Sequence, residues 1–120
     1  EPRADRRAMA AENALALGAP KLELIEGEVP AALEGLDAPD AIFIGGGLSR
    51  ETFDAAWAAL RPLGRLVANA VTLESETTLI ALHKKHGGDL VKIAVSRAEP
   101  VGPFRGWRPL MAVTQWSFVK

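Results

Sequence analysis

Hydrophobic positions along the chain change period several times, and the changes mark the elements. From Asp5 a helical stretch is predicted to about Leu17, with Asp5 as N-cap and Gly18 and Pro20 as stops. Leu22-Glu23-Leu24-Ile25 predicts a short strand closed by Gly27, and Pro30 to Leu33 about one helical turn. Ala41-Ile42-Phe43-Ile44 is apolar without alternation, the pattern of a strand buried on both faces. Ser49 then caps a helix from Arg50 to Leu60, whose apolar face is Phe53, Ala56, Trp57 and Leu60, so Trp57 belongs to the core. Pro62 and Gly64 turn the chain into a strand over Arg65–Ala70. Thr72 or Ser75 opens a second long helix that ends before Gly87-Gly88. Leu90 to Ala98 alternates through Val91, Ile93 and Val95, a half-exposed strand, and Val113–Val119 is a last strand.

Strands alternating with helices predict an α/β fold with a mostly parallel, doubly wound sheet and helices on both faces. The last connection breaks the rule. Residues 99–112 carry Pro100, Pro103 and Pro109 and cannot form a crossover helix, so the final two strands are expected to pair antiparallel. That is the Rossmann-like architecture of class I S-adenosylmethionine-dependent methyltransferases. The chain begins Glu1-Pro2-Arg3-Ala4-Asp5-Arg6 with no leading strand, which leads us to expect a single domain over residues 1–120 that lacks its first two strands. In that case Leu22–Ile25 has no ladder partner, and Ala41–Ile44 pairs on one side only, with Leu66–Ala70.

Composition is that of an ordinary globular domain: 120 residues, 48% apolar, 24% charged. No apolar run approaches a membrane span, no secretory signal is visible, and the absence of cysteine fits a cytoplasmic setting. The net charge of −1 conceals an asymmetry, −6 over residues 1–80 and +5 over residues 81–120. A basic tail on an acidic body suits an anionic substrate, a nucleic acid or an acidic subunit, or is simply an uneven solvated surface.

The candidate chemistry starts at Gly45-Gly46-Gly47, directly after the buried strand. In open α/β sheets, ligands bind just past the carboxyl ends of strands. A tight turn needs one glycine; three in a row favour a ligand approached by bare main chain. Gly27-Glu28-Val29 could grip an adenine through carboxylate, backbone N–H and an apolar side chain, or could be an ordinary loop. Asn69, at the end of a strand, is placed to touch substrate or to form a helix-entry hydrogen bond. Glu1 read alone is a solvated terminal acid. His83 and His86 are three apart but lack a third ligand nearby. Beside Lys84 and Lys85 they suit the negative end of their helix better than a metal. Phe104-Arg105-Gly106-Trp107-Arg108-Pro109 sets guanidiniums and aromatics on one stiff segment. It suits a flat molecule rimmed with carboxylates, single-stranded nucleic acid, or docking on its own domain or on a neighbouring subunit.

The segments DAIFIGGGLSRETFDAAWAALRPLGRLVANAVTLESET and AVSRAEPVGPFRGWRPLMAVTQW together resemble the C-terminal methyltransferase half of the precorrin-6Y C5,15-methyltransferases (decarboxylating), enzymes of cobalamin biosynthesis. The resemblance covers nearly the whole chain. It implies S-adenosylmethionine as cofactor, with S-adenosylhomocysteine as product, and methylation at carbon 15 of a precorrin tetrapyrrole with decarboxylation of the ring C acetate. It also implies an N-terminal methyltransferase domain in the parent chain, a homo-oligomer, and neither nucleic acid nor membrane as partner. Carried over, Glu1 would hold the ribose, Gly27, Glu28 and Val29 would frame the adenine, and Gly45, Gly46 and Gly47 would border the methyl-bearing end. Asn69, Arg105, Trp107 and Arg108 would face the precorrin. It singles out no catalytic residue. The family's glycine-rich loop after the first strand has no counterpart here, so weak cofactor binding is expected of these residues alone. The alternatives are a dinucleotide-binding oxidoreductase domain, against which the antiparallel ending speaks, and an RNA-binding module using the basic C-terminal part.

Overall fold

The computed structural model describes residues 1–120, which divide into two compact units, Glu1–Asp37 and Ala38–Lys120. The first holds helix α1 (Ala4–Ala16) and a single 3₁₀ turn, Ala31–Leu33. Helix α1 starts two residues earlier than the cap rule placed it. Arg3 is the N-cap and makes no side-chain capping bond, while Asp5 sits in the first turn, paired with the Arg3 guanidinium. Leu22–Ile25 forms no strand. Unit 1 has no second extended segment to share a ladder, and without one an extended run keeps no regular hydrogen-bond pattern.

The second unit is a four-stranded sheet with two helices, followed in space by a separate ribbon. Its elements are β1 (Ala41–Ile44), α2 (Arg50–Ala59), β2 (Arg65–Ala70), α3 (Leu73–His86), β3 (Asp89–Ile93), β4 (Ser96–Val101), β5 (Phe104–Pro109) and β6 (Val113–Val119). The helix starts follow local chemistry. The Ser49 side chain accepts from the Thr52 N–H at 3.0 Å, and Thr72 Oγ1 accepts from the Ser75 N–H at 3.2 Å. At the other end of α2, Lys120 Nζ donates to the carbonyls of Trp57 and Leu60, so a cation closes the helix terminus where carbonyls lack partners.

Sheet order is β1-β2-β6-β3. β1 pairs with β2 in parallel, Ile44 opposite Ala68, and has no other neighbour. β6 runs antiparallel between β2 and β3, with Asn69 opposite Gln115 and Lys92 opposite Thr114. The antiparallel ending expected for the last two strands is present. The sheet itself is not mostly parallel: β6 lies between β2 and β3, so only one of three pairings is parallel.

One face of this sheet carries the core. Ile44, Leu66, Ala68, Ala70, Trp116 and Phe118 pack against Phe53 and Ala56 of α2 and Leu79 and Leu82 of α3. Trp116 and Phe118 stack at 4.4 Å between ring centroids, and Trp57 stacks on Phe118 at 5.6 Å, which gives Trp57 the core role its helical spacing predicts. The other face of β1 is open: Phe43 is 65% exposed, so β1 is not the doubly buried strand its composition suggested. An apolar run shows that a strand belongs in a sheet. It does not show which segments cover each side. β3 departs from expectation in the same way, exposed along its whole length rather than on alternate residues.

The largest departure is the β4–β5 ribbon. Residues 99–112 were expected only to form no crossover helix, and no strand was placed in them, yet Ser96–Val101 and Phe104–Pro109 form an antiparallel hairpin around Gly102-Pro103. Gly102 has φ +59, the glycine-first arrangement of a tight two-residue loop. Proline is tolerated because both strands of a two-stranded ribbon are edges, with one row of backbone groups that needs no ladder partner.

Candidate functional site

The carboxyl ends of β1, β2 and β3 fall at one edge of the sheet in unit 2, together with the start of β6. Gly45–Gly47 leave β1 there. Only Gly47 adopts a left-handed backbone conformation, with φ +68. The turn therefore requires one glycine, and backbone conformation does not explain the other two. A Cβ placed on Gly46 would meet nothing within 4 Å, so its site is open space that any side chain would fill. A Cβ on Gly45 would approach the Phe43 ring at 3.1 Å. A bare main chain bordering open space at a strand's carboxyl end fits a ligand that must come close to the backbone.

Extending the β1–β2 register by one step sets Gly45 beside Asn69. The Asn69 side chain is not used for helix entry, which Thr72 accomplishes. Instead its Oδ1 accepts from Gln115 Nε2 at 3.0 Å. That bond fixes the amide and leaves the Asn69 Nδ2 donors without a side-chain partner. On the opposite face of the same edge, Glu76 Oε1 accepts from Lys92 Nζ at 2.7 Å and from the buried Thr114 hydroxyl at 2.6 Å. The hydrogen bond from Lys92 foremost, and that from Thr114 next, hold the Glu76 carboxyl below its usual range. Sequence reasoning did not single out Gln115, Glu76, Lys92 or Thr114. Their partners lie 16 to 46 residues away, so no local spacing could have shown them.

In unit 1, Glu1 and Val29 line one cleft of ≈ 270 Å³ with Arg7, Leu24, Ile25 and Leu36. The Glu1 carboxylate accepts from the Arg3 N–H at 3.1 Å and has Arg6 at 3.7 Å. Gly27, at φ +139, packs so that a Cβ would come within 3.1 Å of the Ala32 methyl. Neither Gly27 nor Glu28 lines the cleft.

The ribbon sorts the FRGWRP segment onto two faces. Residues directly opposite in the ladder share a face. Arg105 and Trp107 therefore lie with Ala98 and Pro100, while Phe104 and Arg108 lie with Val101, Glu99 and Arg97. Arg105 donates to the Ala98 carbonyl at 3.0 Å, and Arg108 pairs with Glu99 at 3.0 Å. Trp107 and Phe104 are 77% and 76% exposed.

His83 and His86 do not act together. His83 Nε2 lies 3.2 Å from the Gly88 carbonyl. His86 sits among Trp57, Phe53, Phe118 and Trp116, its Nε2 sealed from solvent and without a hydrogen-bond partner. Burial foremost, then Lys85 and Arg50, lowers its pKa from 6.5, against an opposing pull from Asp54. It is thus not the helix-end cation expected from its position. Because its folded pKa is depressed, the unfolded chain binds a proton first as pH falls below 6.5. Wild type should therefore lose stability relative to His86→Phe on going from pH 7 to pH 5, as read from denaturant midpoints. A difference that is flat with pH would contradict this burial.

No helix is long and apolar enough to cross a membrane, and no group of three or more His, Cys, Asp or Glu could hold a metal ion. The sheet order, with one antiparallel strand between parallel neighbours, is that of the S-adenosylmethionine-dependent methyltransferase folds. An S-adenosylmethionine-dependent O-methyltransferase from Thermotoga maritima shares that fold at 17% identity, with a TM-score of 0.67 over 100% of this chain and 48% of its own. A family model described as precorrin methyltransferase domain matches residues 1–120, and the chain belongs to that family. It is 51% identical over 117 residues to the precorrin-6Y C(5,15)-methyltransferase [decarboxylating] of Sinorhizobium sp., covering 97% of this chain and 28% of the relative. The chain thus spans little more than a quarter of that protein's length. It also resembles the C-terminal domain of precorrin-6Y C5,15-methyltransferase from Rhodobacter capsulatus, at 47% identity and a TM-score of 0.90, over 100% of this chain and 66% of that one. Membership in this family leaves the oxidoreductase and RNA-binding alternatives without support.

Proposed function

We propose that this chain is part of an enzyme that transfers a methyl group from S-adenosylmethionine to carbon 15 of a precorrin and removes carbon dioxide from its ring C acetate. Support for the reaction comes from the relatives' names, and the observation that carries it in this chain is the open space over Gly46, which the turn does not require. An N-terminal methyltransferase domain in the parent protein, acting on the other meso carbon, and assembly into a homo-oligomer complete this reading.

When bound, S-adenosylmethionine supplies an electrophilic methyl on a sulfonium. The protein's task is alignment and exclusion of water, because the ring carbon that attacks is already enamine-like. Gly45, Gly46 and Gly47 give the methyl-bearing end room to lie against the main chain. Glu1 holds the ribose hydroxyls, while Gly27, Glu28 and Val29 frame the adenine. Asn69, its amide fixed by Gln115, offers Nδ2 to the precorrin. Arg108 engages one of its carboxylates from one face of the β4–β5 ribbon, while Arg105 and Trp107, on the other face, are left to a separate part of the ligand. When the acetate's C–C bond breaks, its electron pair passes into the ring π-system, and a proton then completes the methyl group.

The test is turnover by the full-length protein with methyl-labelled cofactor and the precorrin. One labelled methyl at carbon 15 together with release of carbon dioxide is expected. A product labelled only at the other meso carbon, with all carboxylates retained, would overturn the assignment.

A further inference from the structure

The β4–β5 ladder places Arg97 directly opposite Arg108. Side chains at directly opposed positions share one face with Cβ atoms about 5 Å apart, and like charges there destabilise the pairing. Only one acid relieves the repulsion. Glu99 pairs with Arg108 at 3.0 Å, and Arg97 has no carboxylate within ion-pairing distance. Arg97 is exposed, and so is Phe104, which lies on the same face opposite Val101. On the other face the Arg105 guanidinium already bonds the Ala98 carbonyl.

We infer that Arg97 and Arg108 form a two-armed carboxylate clamp beside Phe104, with Glu99 as a resident competitor for Arg108, and that its ligand is a flat polycarboxylate. Two guanidiniums held face to face gain most when a carboxylate lies between them, since each offers a planar fork of N–H donors. An aromatic ring on the same face gives such a ligand an apolar surface to lie on. Glu99 keeps the pair from repelling when no ligand is bound, and the incoming carboxylate takes its place. The identity of the ligand rests on the precorrin reading above; the clamp itself rests on the ladder register and the unmatched guanidinium.

The experiment titrates uroporphyrin, an octacarboxylate macrocycle, into the full-length protein and its variants, following porphyrin fluorescence at two salt concentrations. Arg97→Ala should weaken binding by about fivefold, the upper range for a solvent-accessible charge pair, and Arg97→Lys by less. Glu99→Gln should tighten binding, because it frees Arg108. A structural role for Glu99 alone would give no gain. Raising salt should shrink the difference between wild type and Arg97→Ala. Unchanged affinity in Arg97→Ala, weaker binding in Glu99→Gln, or no saturable binding by wild type would each overturn the clamp. Turnover distinguishes the two proposals. Methylation at carbon 15 with Arg97→Ala silent removes the clamp alone. Porphyrin binding that responds to both variants, without methyl transfer, removes the reaction alone.

Discussion

Replacing Trp116 with alanine should cost the fold about 3–5 kcal/mol, the usual range for truncating a buried large aromatic. Trp116 is 0% exposed at the centre of β6, stacked on Phe118 and 5.8 Å from Phe53 between ring centroids. Its indole Nε1 donates to the Gly87 carbonyl at 2.7 Å, which ties the end of α3 to the sheet. Alanine there would open a cavity beneath both helices and leave Gly87 O without its donor. Trp116→Phe separates the two effects: it keeps most of the apolar volume and loses the hydrogen bond, for about 1 kcal/mol beyond the change in packing. Urea denaturation gives both values. A loss below about 1 kcal/mol in the alanine variant would contradict a core centred on this side chain.

Much of this arrangement was legible because it depends on short-range chemistry. Ser49 and Thr72 cap helices by bonding to residues three positions on, so their role is visible in the local sequence. The α2 face of Phe53, Ala56 and Trp57 follows from helical spacing alone. The antiparallel final strand followed from the lack of any crossover helix. The β4–β5 ribbon escaped because Pro100, Pro103 and Pro109 were weighed only as excluding a crossover helix, and a two-stranded ribbon, which consists only of edges, was not considered. Phe43 was misjudged because composition cannot tell an edge strand with an open face from a central one. His86 was assigned by its place at a helix end, while the aromatic cage that sets its behaviour comes from α2 and β6.

The candidate site divides along the same line. The glycine edge was visible as a triplet after an apolar run, and its meaning sharpened once only Gly47 proved to need its backbone freedom. Asn69 was visible as a polar residue at a strand end, but Gln115, which orients it, lies 46 residues away. The FRGWRP segment stood out by composition. Its division between two ribbon faces depends on register, and register also brings Arg97 opposite Arg108.

On the reading proposed above, the open space over Gly46 is kept for the methyl donor. Gly46→Ala puts a methyl group into that space without touching any protein atom, so folding stability should be unchanged or slightly raised. A ligand lying against the bare main chain would meet that methyl, and forcing one extra carbon into a close contact costs about 1–3 kcal/mol, roughly fivefold or more in affinity. The decisive measurement is calorimetric titration of S-adenosylhomocysteine into full-length wild type and Gly46→Ala, with denaturant midpoints recorded for both. A loss of affinity of roughly fivefold or more at equal stability is expected. Equal affinity in the two proteins would show that the cofactor does not lie over Gly46.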